Sequence, residues 1–235
     1  MKAPSLIIVA WCLLTASCVT RQYYLSPFHA TDHPYKAMPM VADSTPSAFY
    51  AGGNLTLGGA NQNLRDGLIN LQGTIHRAHT FQRFQFLYGG SLSAGGYHIS
   101  ENNFTFNNNG NPGAPFKLGG SRFFGGAGVF GGANLVIPFR TGSEWRVIGM
   151  ETSFQHEFGD YAGVRSAIPD SAVDLVWRKN YFHTIGVTTD VIKKFRKSGN
   201  SFGYKFGVYF STASAPYTGQ YAPGRRILPA YISHT

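Results

Sequence analysis

The most constraining feature of this chain is strict alternation of apolar with small or polar residues, repeated in segment after segment. Phe202, Tyr204, Phe206, Val208 and Phe210 occupy every second position, opposed by Gly203, Lys205, Gly207, Tyr209 and Ser211. Residues two apart share a face only when the backbone is extended, so this run predicts a strand with one apolar face. The pattern recurs with Phe49, Ala51, Leu55 and Leu57, then with Ile69, Leu71 and Ile75 against Asn70, Gln72, Thr74 and His76. Phe84, Phe86 and Tyr88 oppose Arg83 and Gln85, and Ile148, Met150 and Phe154 oppose Glu151, Ser153 and Gln155. Only 13% of residues are charged, 15% are aromatic and Gly numbers 29, a mix that favours short half-buried strands over helices. No stretch after the amino-terminal apolar run has the spacing of an amphipathic helix. The expected class is all-β: an antiparallel up-and-down β-barrel of about eight strands.

The links decide which kind. The alternation places strands over 48–59, 68–77, 81–98, 121–138, 145–157, 179–192, 201–212 and 227–235. Three links are short: Ala78 to Thr80, Arg140 to Glu144, and Lys193 to Asn200. They alternate with longer ones: Ala60 to Gly67, Ser100 to Gly120, Phe158 to Trp177, and Thr212 to Arg226. Short links all at one end and long links all at the other is the asymmetry of outer-membrane barrels, with short periplasmic turns and longer external loops. The faces agree. A soluble sheet turns Lys, Glu and Asp outward, whereas these polar faces are built mostly of Asn, Gln, Thr, Ser and Gly, and the apolar faces are rich in aromatics. That distribution suits a narrow filled interior inside an apolar exterior. The competing expectation is a water-soluble, lipid-tethered periplasmic β-barrel that binds an apolar ligand inside. The direction taken by Phe202, Phe206 and Phe210 discriminates between the two.

The amino-terminal residues place the chain. Lys2 is followed by the apolar run Leu6 to Leu14, about half the length needed to span a bilayer as a helix. Such a run reads as an export signal. The sequence Leu14-Thr15-Ala16-Ser17-Cys18 resembles the lipobox of bacterial lipoproteins, and the resemblance implies cleavage before Cys18 and acylation of its thiol and its new amino group. An ordinary signal peptide cut near Ala16 is the alternative. Residues 1–17 are then a lipoprotein signal peptide, 18–47 a lipidated tether and 48–235 the barrel domain. The tether is expected to be irregular, since it holds Pro27, Pro34, Pro39 and Pro46 and shows no period. Tyr23, Tyr24 and Phe28 are unusual in a linker and suit either a bilayer interface or packing on the following domain. An anchor in the inner leaflet, followed by a first strand that starts from the periplasm, would put the short turns there too.

With both features in hand, the chain resembles the small lipid-anchored outer-membrane β-barrel proteins of Bacteroidota-type bacteria. The residues that carry the resemblance are the lipobox and the run from Asn61-Gln62-Asn63-Leu64-Arg65-Asp66-Gly67 to Gly73-Thr74-Ile75-His76-Arg77-Ala78-His79-Thr80-Phe81. It implies a fold and a location, the cell outer membrane, and no particular reaction. The carboxyl end, Ile232-Ser233-His234-Thr235, departs from the aromatic-rich last strand usual in such proteins.

Chemistry-bearing residues are sparse. The cysteines are Cys12 and Cys18 alone, so the exported chain holds no internal disulfide and no thiolate metal site. His76, His79, His98, His156 and His183, with Glu151, Glu157 and Asp160, have no spacing that brings three side chains within hydrogen-bond reach. No catalytic residue, metal or cofactor is assigned, and the chain is not read as an enzyme. Arg83, Glu151 and Lys205 each fall on a polar face, and a charge in a narrow interior needs a partner. Glu151 is therefore expected to pair with Arg83 or Lys205 and to block the interior. The 19 Lys and Arg that remain without Lys2, against 11 Asp and Glu, leave a basic surplus suited to anionic envelope components, with no clustered nucleic-acid patch. The expected partners are outer-membrane lipid, and lipopolysaccharide, glycans or other envelope proteins reached through loops 100–120 and 158–178. The expected role is a non-enzymatic scaffold, adhesin or accessory subunit of an outer-membrane complex.

Overall fold

The computed structural model describes residues 23–28, 34–41, 46–60, 65–104, 107–108, 111–112, 116–139, 142–195, 200–212, 218–219 and 230–234. Cys18 lies outside them, as do parts of loop 100–120 and most of the link before the last strand. Eight strands form one sheet: β1 (Ser47–Ala60), β2 (Asp66–Phe81), β3 (Phe84–Phe104), β4 (Phe116–Phe139), β5 (Ser143–Phe158), β6 (Tyr181–Lys194), β7 (Ser201–Ser211) and β8 (Ala230–His234). Each pairs antiparallel with its neighbours in sequence, so the order across the sheet is the order along the chain. The class is all-β and up-and-down, curled into a half-barrel.

Each predicted strand has a counterpart, and the differences lie at the ends. β3 and β4 run on past the expected boundaries to Phe104 and from Phe116. The first short turn lies at Gln82–Arg83 instead of Ala78 to Thr80, because β2 keeps its ladder with β3 as far as Phe81↔Phe84. One helix was not foreseen: α1 (Asp160–Ala167) opens the link between β5 and β6. It presents Tyr161 and Arg165, four apart and so on one helical face, to the protein and buries both. Eight residues give too short a periodic run to stand out in the sequence, and Gly163 weakens it further.

The apolar faces point outward. Phe202, Phe206 and Phe210 are exposed, as are Leu55, Leu71, Ile75, Leu92, Val129, Met150 and Val187, with Phe202 at 64% and Leu71 at 61%. Aromatics gather at the ends of this surface. Phe81, Phe84, Phe86, Phe139, Trp145, Phe195, Phe202 and Tyr204 flank the short turns, and Phe158, Tyr181 and Phe210 stand at the long-link ends. Aliphatic residues predominate in the middle, with Phe154 and Phe206 interspersed. The concave face is the reverse: Asn70, Gln72, His76, Gln85, Asn134, Glu144, Arg146, Glu151, Asp190 and Lys205 are buried there.

What buries them corrects the tether expectation. Residues 34–41 lie in the concavity as a strap, with Lys36, Met38 and Met40 buried. The strap is held along its length. His76 Nε2 lies 2.7 Å from the Ala37 carbonyl, Thr80 and Gln85 each donate to the Pro39 carbonyl at 2.8 Å, and the Val41 amide donates to Glu144 at 3.0 Å. Prolines and a lack of period exclude a helix or a ladder strand, but leave backbone carbonyls free to accept from an interior rich in donors. At the other end, Tyr23–Tyr24 pairs in parallel with Leu175–Val176, and Phe28 packs on Phe124. Gly126 makes that possible, because a side chain there would sit 2.5 Å from the Phe28 ring. Residues 23–28 and 34–41, read as tether in the sequence, thus pack on the folded domain.

Candidate functional site

Two polar clusters and one apolar cap organise the interior. In the first cluster Glu151 of β5 accepts from Lys205 Nζ at 2.5 Å and from Tyr209 Oη at 3.2 Å, and pairs with Lys36 Nζ of the strap at 3.5 Å. Lys205 and Glu151 are two strands apart, with β6 between them. Gly186 of β6 stands opposite Glu151 and permits the approach, since a Cβ there would collide with the Tyr209 ring that crosses it. Lys36 also lies over the Phe130 ring, 4.8 Å from its centre. The free space beside this cluster is about 10 Å³, room for at most one water.

The second cluster lies nearer the short turns. Arg146 is fully buried and donates to Glu144 at 3.1 Å, to Asp190 at 3.0 Å and to the Tyr35 hydroxyl at 3.2 Å. Gln85 donates to the same Glu144 oxygen at 3.1 Å. Arg146 and Asp190 are direct cross-strand partners, so the β5–β6 register itself forms the pair. Both clusters include strap atoms. The buried charges therefore fasten the amino-terminal segment inside the half-barrel as well as neutralising one another.

The cap closes the long-link end. Tyr24, Phe28, Tyr97, Ile99, Phe124, Tyr161, Trp177 and Phe182 form one buried apolar cluster. Tyr97 and Tyr161 stack with ring centres 4.2 Å apart. Arg165 of α1 donates to Glu157 at 2.5 Å and to the Trp177 carbonyl, which ties the helix to both ends of its own link. Burial pushes the Tyr161 phenol well above its ordinary range, against the opposing pull of the Arg165 guanidinium. The Tyr161 hydroxyl donates to the Leu25 carbonyl at 3.0 Å, and the Trp177 amide to the Tyr24 carbonyl at 3.0 Å. The long link and the amino-terminal segment are thus packed as one unit.

The residues singled out in the sequence scatter across this frame. Glu151 and Lys205 come together in the first cluster. Arg83 does not join them: it sits in the Gln82–Arg83 turn and is exposed, because β2 ends later than the alternation suggested. Of the five histidines singled out in the sequence, His76 faces the interior and the other four do not. His79 stacks on Tyr88, His98 approaches Ser121 at 3.1 Å, His156 approaches Asn180 at 3.2 Å, and His183 bridges Thr152 and Thr212. Glu157 is committed to Arg165, and Asp160 is exposed in the first turn of α1. Among the described residues no three His, Cys, Asp or Glu side chains gather as they would around a metal ion.

Sequence reasoning missed Lys36, Tyr35, Glu144, Arg146, Asp190 and Arg165. The signal was present for one of them: Arg146 falls on the face opposite Trp145 in a segment already read as a strand, whereas Glu144 belongs to the short link expected before it and joins the strand only because β5 starts at Ser143. No family model, curated protein or solved structure matches this chain.

Proposed function

We propose that the protein is an outer-membrane lipoprotein β-barrel, anchored at Cys18 and inserted through its strands, acting as a non-enzymatic scaffold, adhesin or accessory subunit. The observation that carries this reading is the inversion of the usual polarity. The exposed face is a continuous apolar surface with aromatics toward both ends, and the charges are inside, paired and hydrogen-bonded. In water such a surface far exceeds the few hundred Å² of apolar patch that soluble monomers tolerate. In a bilayer it is the expected exterior, with aromatic girdles at the two interfaces.

An apolar-ligand carrier is the competing reading, and the interior weighs against it. The strap, Met38, Arg146 and the Glu151 cluster fill the space where an apolar ligand would sit, and ionic groups line it. The same filling argues against a diffusion pore. Function then rests with the long-link face, where α1 and the cap hold the link between β5 and β6 in a defined shape. Polar groups there would meet lipopolysaccharide, glycans or other envelope proteins. Retention in urea-washed outer membranes, together with a heat-modifiable shift in gel mobility, tests insertion. Full extraction by urea would reject it.

A further inference from the structure

We propose that the chain threads its amino-terminal segment through the half-barrel, so that acylated Cys18 and the long links lie on the same face of the membrane. This rests on the lipoprotein-barrel reading and changes its topology. The simpler arrangement has the lipid in the leaflet next to the short turns, close to the start of β1.

The path is set by contacts at the two ends. Val41 is bound to Glu144 and the Pro46 carbonyl accepts from the Thr80 amide, both beside the short turns. Going backwards along the chain, Met38 and Lys36 lie deeper, against Asn134 and Glu151. Phe28 lies against Gly126, which pairs in register with Glu157, and Tyr24 is buried in the cap under Trp177 and Tyr161. Glu144 and Glu157 are thirteen residues apart on β5, about 43 Å of strand and about 33 Å along the axis at a tilt of about 40°. The amino-terminal segment therefore begins at the long-link end and finishes at the short-turn end.

The reach of the chain does the rest. Five residue steps separate Cys18 from Tyr23, at most about 18 Å when fully extended. The apolar band of an outer-membrane barrel is about 25 Å tall, so acyl chains on Cys18 cannot return to the leaflet at the short turns. They enter the leaflet beside α1 and the cap. The surface offered to partners is then a lipid-flanked one, with the acylated residue close to the loops.

Single-cysteine reporters in the full-length chain test this, read with a membrane-impermeant maleimide. Cys18 is blocked by acylation, so each introduced thiol is read alone. Gly163→Cys marks α1, where a side chain meets open space, with Ser166→Cys as a second reporter on the same helix; Arg83→Cys marks the short turn and Thr20→Cys the amino terminus. Labelling is compared in intact cells and after the outer membrane is permeabilised. The expected result is that Thr20→Cys follows Gly163→Cys and Ser166→Cys, with Arg83→Cys opposite, and which set labels in intact cells tells which side the shared face is on. If Thr20→Cys instead follows Arg83→Cys while Gly163→Cys is opposite, threading is overturned and the inserted barrel stands. If all reporters label alike and urea extracts the protein, insertion fails and the threading proposal falls with it.

Discussion

Replacing Glu151 by Gln tests whether the interior charges hold the strap in place. The substitution keeps the shape and leaves an oxygen to accept from Tyr209, but removes the one carboxylate shared by Lys205, at 2.5 Å, and Lys36, at 3.5 Å. Asp190 stands opposite Lys205 in register, yet it is already engaged by Arg146 at 3.0 Å. Two ammonium groups, each at most 7% exposed, would be left facing each other. Breaking a buried pair by removing one partner costs about 3–5 kcal/mol, because an uncompensated charge stays buried. We expect E151Q to lose that much stability in urea unfolding followed in detergent micelles. Lys36 is then the group most able to leave, so a thiol at Ala37→Cys should gain reactivity in the E151Q background. Removing one lysine as well, in E151Q/K205M, returns the local charge to its parental value and should recover part of the loss. An E151Q protein within about 1 kcal/mol of the parent, with the strap thiol still protected, would refute the idea that this cluster fastens the strap.

Other perturbations probe the remaining contacts. Leu71→Arg places a charge in the aliphatic middle of the outward face and should cost about 2–4 kcal/mol in a bilayer, read as loss of folding into lipid vesicles. Gly126→Val drives a side chain into the Phe28 ring and should cost about 1–3 kcal/mol by overpacking. Phe28→Ala in the same chain should relieve part of that cost, so the two changes will not add. Arg165→Met leaves Glu157 buried without its cation; the cap should loosen, seen as faster proteolysis of the 159–180 link in folded protein.

The strands were legible because alternation is a local signal: every outward residue of β7 can be read off without knowing its neighbours. Class, order and the short-against-long rhythm of the links follow from it. The helix was not, since eight residues with a glycine give little periodicity, and Tyr161 and Arg165 matter for what they touch across the fold. The strap was the larger omission. Lys36-Ala37-Met38-Pro39-Met40 has no period, and prolines read as linker. Its order comes from carbonyls that accept from Thr80, Gln85 and Arg146, all distant in sequence. Glu151 with Lys205 could be foreseen from two polar faces. Arg83 was misplaced because a turn shifted by a few residues moves a side chain from the interior to solvent, and alternation alone does not locate where a ladder stops.

The central claim is that the outward apolar face contacts lipid, and fluorescence quenching from the bilayer measures this most directly. In the chain from Cys18 on, the tryptophans are Trp145, which faces outward at 38% exposure, and Trp177, which is buried in the cap. A protein carrying Leu71→Trp, with both native tryptophans changed to Phe, would be reconstituted in vesicles whose acyl chains carry bromine at graded depths. Strong quenching of the introduced indole by bromine near the bilayer centre, with weak quenching in a chain retaining only Trp177, is the predicted result. An introduced indole that bromolipids leave unquenched, with emission at the wavelength of a water-exposed indole, would contradict the account.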